Sequence, residues 1–231
     1  MGIELELLKT ARYFSKLGTP YLEDISRYVF EKKLPAAEVI LWEGEEYESL
    51  YFVISGLIKL FATSNEGREL IVRLVYGGDS FNDDAIFDKG PSTLSAMTMS
   101  PVVLYGLHQQ DLDKIQSSHP EVNSNIAEVL AARQRYLVRL ATELVFKNVT
   151  ARLARFLLER EELLSTGATE VKVTQQEMAS MIGTVREIVS RSLRDLEAEG
   201  AISLRHNQII ITDRDRLMEL GGIRIYENGR D

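Results

Sequence analysis

Residues 173–202 read VTQQEMASMIGTVREIVSRSLRDLEAEGAI. Thr174 followed by Glu177 has the spacing of a capping box, in which each side chain satisfies a free backbone N–H beside the other. A helix is predicted to start there, with Met178, Ala179 and Ile182 as its apolar side. Gly183 permits the sharp turn that ends it. Thr184 with Glu187 repeats the capping pattern, so a second helix is predicted within a residue or two. Ile188, Val189, Leu193 and Leu196 form its buried side, which leaves Arg186, Ser190, Arg191 and Arg194 facing out. Gly200 ends this helix, and residues 202–204 and 208–212 read as a two-stranded hairpin around Arg205-His206-Asn207.

Helix, glycine turn, helix and hairpin together make a winged helix-turn-helix. A second helix of this kind enters a major groove with its N-terminal residues against base edges. Arg186 and Arg191 can each pair with guanine O6 and N7, and Glu187 can accept from a cytosine amino group. The Glu187 carboxylate also repels phosphates, so it selects as well as attracts. An isolated arginine would be read as a solvated helix face. Here caps, turn, charged side and hairpin agree, and double-stranded DNA is the expected partner.

Working backwards, residues 149–164 read as another amphipathic helix ended by Gly167, and residues 170–173 as a short strand. A break at Lys147-Asn148 precedes them. Before it runs the longest periodic segment, residues 121–145. Val122, Ile126, Val129, Arg133, Tyr136, Leu140 and Glu143 alternate at spacings of four and three, and Leu130, Leu137 and Leu144 form a second stripe. Two stripes suit a helix packed on its own domain and on a partner helix. A broad core-facing helix fits the same periodicity. A charge in the seam, such as Arg133 or Glu143, points outward or serves a ligand or registry role.

The first half is punctuated differently. All five prolines lie at or before Pro120, and glycines recur at Gly44, Gly56, Gly67, Gly77, Gly78 and Gly90. Between them lie short β-rich runs at 38–42, 50–54, 57–63, 70–76, 95–99 and 102–107. This spacing suggests an antiparallel sandwich, roll or barrel. Asn65-Glu66-Gly67 reads as a hairpin turn, and one helix is expected before Gly18.

Composition limits the function. The chain has 231 residues and no cysteine, which excludes disulfides, thiolate zinc sites, iron–sulfur clusters bound by cysteine and cysteine nucleophiles. Lys plus Arg total 27 against 35 Asp plus Glu, a net charge of −8. Residues 147–231 carry 13 of those cations and 14 of those anions, so any charge meant for a polyanion must be focused locally. No apolar run reaches the ~18–20 residues of a membrane span, and MGIELELLKT is not a secretory leader. A cytoplasmic chain without a membrane partner is expected. No serine–histidine–acid order or phosphate loop appears, so no enzyme is expected.

The motifs EGEEYESLYFVISGLIKLF at 43–61, GGDSFNDDAIFDKG at 77–90 and GTVREIVSRSLRDLEAEGAI at 183–202 resemble, in this order, the Crp/Fnr-type transcription regulators. The resemblance runs from about residue 17 to about residue 216. It implies an α+β chain: an N-terminal cyclic-nucleotide-binding-type antiparallel β-roll, a long dimerisation helix and a C-terminal winged helix-turn-helix. The corresponding division is 1–120 for effector sensing, 121–146 for the helix and hinge, and 147–231 for DNA binding. It implies an allosteric homodimer, with Val122, Ile126, Val129, Tyr136, Leu140 and Leu144 at the dimer seam, and RNA polymerase as a further partner. Arg186, Glu187 and Arg191 match the R-E-x-x-x-R signature of the cyclic-AMP receptor branch, which reads TGTGA-like half-sites. Ser190 matches a serine of the fumarate–nitrate branch, which opens a TTGAT-like mixture. Gln175 and Gln176, joined by Thr174 and Thr184, match positions near the DNA backbone.

The effector site departs from the family pattern. The family's glycine-glutamate becomes Asn82-Asp83, followed by Asp84. Its arginine-serine becomes Leu94-Ser95, after a one-residue insertion. A cyclic phosphate beside Asp83 and Asp84 without that arginine would be an unpaired buried charge. The polar contacts that the family's long helix makes with adenine become Leu137 and Val138. Cyclic AMP bound in the usual manner is therefore not expected, and a different small effector is. Leu130, Arg133, Leu137 and Val138 complete the candidate pocket, whose apolar side suits haem or a small apolar molecule as well as plain packing. Family members without the cyclic-nucleotide residues include haem-based sensors of nitric oxide or carbon monoxide. The three histidines, His108, His119 and His206, read as solvated turn residues rather than as ligands, and a nonhistidine axial ligand stays open. Asp79, Asp83, Asp84 and Asp88 lack the glycine and terminal glutamate of a calcium loop. They read as a solvated loop, and no metal is expected. Two other functions stay open: a ligand-binding module without specific DNA reading, and a constitutive regulator without an effector.

Overall fold

The computed structural model describes residues 3–165, 173–205 and 208–223. The chain divides into two compact units, Met1–Leu137 and Val138–Asp231.

The first unit opens with α1 (Leu5–Thr10) and α2 (Thr19–Ser26). Eight strands follow: β1 (Val29–Leu34), β2 (Val39–Leu41), β3 (Ser49–Ser55), β4 (Ile58–Thr63), β5 (Glu69–Val75), β6 (Ser80–Phe81), β7 (Ser95–Thr98) and β8 (Val102–His108). A short α3 (Asp83–Asp88) lies between β6 and β7. After β8 come α4 (Gln109–Ser118) and the start of the 26-residue α5 (Glu121–Phe146). The strands form two antiparallel four-stranded sheets, ordered β1-β8-β3-β6 and β2-β7-β4-β5.

The central strands show why so many consecutive apolar residues occur. In β3, Leu50 and Phe52 join a core with α1, α2, α4 and α5, while Tyr51 and Val53 join a second core between the sheets. In β8, Tyr105 and Leu107 face the helices, and Val102 and Leu104 face the other sheet. A strand covered on both faces shows no polar alternation. Gly106 sits in β8 opposite Phe30 of β1, where an added Cβ would lie 2.1 Å from the Phe30 ring. The ring fills the space that a side chain would need. The turn at 65–67 forms as expected, with Gly67 at φ 76° and its N–H donating to the Ser64 carbonyl at 2.8 Å.

Five elements of this unit are not anticipated by periodicity, among them α3, whose residues read as a loop. In β1, Glu31-Lys32-Lys33 masks the strand, as charges often do on a sheet edge. β6 has only two residues, and α2 and α4 are short.

The second unit holds the end of α5, α6 (Val149–Ser165), α7 (Gln175–Ile182), α8 (Arg186–Ala198), the hairpin β9 (Ile202–Arg205) and β10 (Gln208–Ile211), and α9 (Arg214–Leu220). Leu153, Ala154, Leu157 and Leu158 of α6 pack with Met178, Ala179 and Ile182 of α7, Val189, Leu193 and Leu196 of α8, and Leu217 of α9. The break at Lys147-Asn148 is present, and the Asn148 carboxamide oxygen accepts the Ala151 N–H at 2.8 Å to cap α6. Gly167, His206, Asn207 and residues 170–172 of the expected short strand lie outside the described residues.

Candidate nucleic-acid interface and effector site

Thr174 caps α7 as its spacing predicts. Its hydroxyl accepts the Glu177 N–H at 3.2 Å, and the Glu177 carboxylate accepts the Thr174 N–H at 2.7 Å. Gly183 takes φ 67° and ends the helix. The second capping box does not form. The Thr184 N–H donates to the Ala179 carbonyl, which ties Thr184 into the end of α7, and Val185 is the N-cap of α8 with no side-chain cap. A second correction concerns Ile188. It is 36% exposed, so the buried side of α8 is Val189, Ser192, Leu193 and Leu196.

The outer side of α8 matches expectation more closely. Arg186, Glu187, Ser190, Arg191 and Arg194 line one shallow concavity with Gln175 of α7. Thr174, Gln175 and Gln176 border an adjoining groove that Arg205 and Gln208 of the hairpin also line. Thr184 stays half-buried in the turn. Elsewhere in this unit several arginines are neutralised, as in Arg214–Glu161 and Arg216–Glu199, while Arg152 is held by backbone carbonyls. Among the described residues, Arg186, Arg191 and Arg194 form no ion pair. Three uncommitted guanidinium groups on one helix face are a local positive focus on an acidic chain.

In the first unit the structure corrects the reading of the acidic cluster. Asp83 is not solvated but 4% exposed. Its carboxylate pairs with Arg133 of α5 and accepts from the Tyr13 and Ser80 hydroxyls. Arg133 also donates to the Ser80 carbonyl at 2.8 Å, and Arg73 of β5 donates to the same oxygen at 2.7 Å. Burial and the neighbouring Arg133 charge push the Arg73 pKa down. Burial, then the Asp83 charge, pushes the Tyr13 pKa far above its ordinary value. Asp79 pairs with Arg12 at 3.1 Å, Asp84 accepts from Thr93, and Asp88 accepts the Gly90 N–H at 2.9 Å. Each carboxylate of the cluster is thus engaged locally. Tyr13, Ser80 and Arg73 were not foreseen, because they lie far apart in sequence and carry no motif.

The remaining candidates scatter. Asn82 is buried in the left-handed region at φ 67°, and its side-chain N–H donates to the Ser49 carbonyl at 3.0 Å. Leu94 packs against the inter-sheet core, and the Ser95 hydroxyl accepts the Glu43 N–H. Leu130 packs against the helix-side core. Leu137 and Val138 are 49% and 58% exposed. Val122, Ile126 and Val129 are consumed in the protomer's own core, which removes them from the expected seam. Tyr136 is held inward by its hydroxyl on the Val72 carbonyl at 2.9 Å. Leu140 and Leu144 are half-buried. The exposed face of α5 instead carries Leu137, Val138, Ala141, Val145 and Phe146.

His119 is also corrected. It is buried, with Nε2 2.9 Å from the Asp24 carboxylate and its ring edge-on to Tyr21. His108 ends β8, exposed, with Nδ1 3.0 Å from the Ser49 hydroxyl. Among the described residues no group of three or more His, Asp or Glu side chains is placed to hold a metal. Nor is any helix among them long and apolar enough to cross a membrane. Two residues that the resemblance sets at the cyclic-nucleotide positions have these surroundings. Leu94 is an apolar side chain packed against the inter-sheet core, and Asp83 is paired with Arg133.

Residues 31–119 match the cyclic nucleotide-binding domain family, and residues 151–220 match the Crp-like helix-turn-helix domain. A CRP-like cAMP-activated global transcriptional regulator of Mycobacterium tuberculosis is 30% identical over 92% of this chain and 97% of its own length. The chain belongs to the Crp/Fnr family of transcription regulators. A cyclic AMP receptor protein of Thermus thermophilus is likewise 30% identical, over 85% of this chain and 91% of that protein. The structure of FixK2 from Bradyrhizobium japonicum superposes with a TM-score of 0.72 at 25% identity, covering 83% of this chain and 96% of that one. A Crp/Fnr-family regulator of Thermus thermophilus gives 0.70 at 28%, covering 84% and 98%. As a Crp/Fnr regulator the chain binds DNA through its helix-turn-helix and is not an enzyme. The β-roll, long helix and C-terminal helix-turn-helix read from the sequence are the family fold.

Proposed function

We propose that this regulator works as a homodimer on a palindrome with TGTGA-like or TTGAT-like half-sites. Its effector is a small molecule held in the β-roll and is not cyclic AMP bound in the family's usual manner. The observation that carries the DNA reading is the uncommitted row Arg186, Arg191 and Arg194, with Glu187 and Ser190 among them, along the outer face of α8. Arg186 and Arg191 address guanines, Glu187 a cytosine amino group, and Gln175, Gln176 and Thr174 the backbone. The partner protomer covers the exposed α5 face at Leu137, Val138, Ala141 and Val145, and RNA polymerase is the further partner of the bound dimer.

The division into a sensing domain at 1–120, a helix and hinge at 121–146 and a reader at 147–231 follows from these roles. α5 is rooted in the β-roll by Asn125 on the Tyr13 carbonyl, by Arg133 on Asp83 and Ser80, and by Tyr136 on Val72. An effector that competes for Asp83 or Arg133 changes what holds α5. Through the hinge at 146–148 it resets two recognition helices against major grooves about 34 Å apart.

The test is selection of sites from a random duplex pool by the purified protein at stated salt. A two-fold palindrome with guanine-containing half-sites one helical turn apart is expected. Recovery of nothing above background, with cell extract as well as without, overturns the reading.

A further inference from the structure

Arg152, in the first turn of α6, belongs to no expected site. Its guanidinium reaches the backbone at two helix ends far apart in sequence. Nη1 donates to the Lys147 carbonyl at 2.7 Å, just past the end of α5. Nε donates to the Ile182 carbonyl at 2.8 Å, the last residue of α7, and Nη2 lies 3.5 Å from the Gly183 carbonyl in the turn before α8. Arg152 makes no ion pair among the described residues, and burial pushes its pKa down. Its charge is held by carbonyls at two helix C-termini, where aligned peptide dipoles favour a cation. The planar fork lets one side chain serve three acceptors in different directions, which an ammonium cannot do.

The surroundings make the same connection. The Thr150 hydroxyl, two residues earlier, donates to the buried Ser192 hydroxyl of α8 at 3.1 Å. On the next turns Arg155 pairs with Glu143 of α5 at 2.9 Å, and Arg139 of α5 pairs with Glu159 at 3.0 Å. The first turns of α6 therefore touch the end of α5 on one side and the helix-turn-helix on the other.

We infer that Arg152 is a positioning residue for DNA reading: it fixes the Gly183 turn, and so the start of α8, to the C-terminal end of α5. Motion of the end of α5 then reaches the recognition helix through one side chain rather than through the packed core alone. Only the DNA arm of its test rests on the DNA reading proposed above.

The chain has no cysteine, so Thr142→Cys on α5 and Asp195→Cys on α8 accept spin labels at two chosen exposed positions. Labelled chains are diluted into unlabelled ones, and the intramolecular distance is read in the whole protein without DNA. A single narrow distance is expected with Arg152, and a shifted or broadened one with Arg152→Lys and Arg152→Ala. Affinity for the selected duplex should fall about ten- to a hundredfold in Arg152→Lys, the weight of one or two charge-assisted hydrogen bonds. Affinity for random duplex should stay unchanged. Should Arg152→Ala fail to fold, Arg152→Lys decides, since it keeps stem and charge. An unchanged distance in Arg152→Lys, or equal loss on selected and random duplex, overturns the inference. Failure of the unsubstituted protein to select any site overturns the DNA reading, and the label distance still decides the role of Arg152.

Discussion

At the scale of single residues, two charges carry opposite lessons. Arg186 lines the outer concavity of α8 and forms no ion pair among the described residues, so the proposed reading puts its energy on DNA. Arg186→Ala should cost about 1–3 kcal/mol of binding and relax the preference at one guanine. Titrating the selected duplex and its single-base variants checks this, and uniform loss on all of them would make Arg186 a phosphate contact. Asp83 is buried, and its energy appears on folding. Asp83→Asn should destabilise the first unit by about 3–5 kcal/mol, because it leaves Arg133 uncompensated in a site of low exposure. Adding Arg133→Met should restore much of the loss in urea unfolding, since removing both partners removes the unpaired charge. Tyr13 adds a pH dependence with a definite sign. Its folded pKa lies above the ordinary value of 10.0, so the folded state holds a proton that the unfolded state releases. That contribution is whole below pH 10 and declines as pH rises beyond it. Tyr13→Phe should flatten this alkaline decline when unfolding is measured at pH 8 and above pH 10.

At the scale of elements, caps and close contacts decide local stability. Thr174→Ala removes the hydroxyl half of the box at the start of α7, leaving the Glu177 carboxylate on the backbone N–H, and should cost about 1 kcal/mol in thermal unfolding of the second unit. Thr174→Ser should keep most of it, because only the hydroxyl is used. α5 shows how one helix answers to different neighbours. Over its first half Val122, Asn125, Ile126 and Val129 are buried in the first unit. Beyond Tyr136, Leu137, Val138, Val145 and Phe146 are exposed, up to 80% at Phe146, while Leu140 and Leu144 are half-buried. The heptad-like stripe in the sequence runs through both halves, yet only the second half has an apolar face to offer a partner helix.

At the scale of the whole molecule, net charge and assembly set the conditions for binding. A chain of charge −8 repels DNA at long range, so affinity depends on the focused cations of α8 and should fall steeply with salt. Leu137→Glu with Val138→Glu places carboxylates on the exposed α5 face and should give a monomer in sedimentation. The same variant should lose the gain of a full palindrome over a half-site, while half-site binding stays. A dimer that persists would place the interface elsewhere.

What the amino-acid order determined by itself was whatever local rules govern: the capping box at Thr174, the turns at Gly67 and Gly183, the length of α5, the break at Lys147-Asn148 and the outward arginines of α8. These depend on neighbours a few residues away, so periodicity and spacing report them. The family motifs lent the β-roll its expected shape, since runs covered on both faces, such as β3, lose the alternation that would identify them. The tertiary structure alone decided what long-range contacts control. Thr184 was drawn into the end of α7, so its capping spacing went unused. Val122, Ile126 and Val129 were taken by the protomer's own core. Asp83 proved to be the buried partner of Arg133 and Tyr13, residues 50 and 70 positions away, and no local pattern encodes that meeting. Burial turns an acid that reads as solvated into one that must be paired, because an isolated carboxylate out of water is too costly to keep charged.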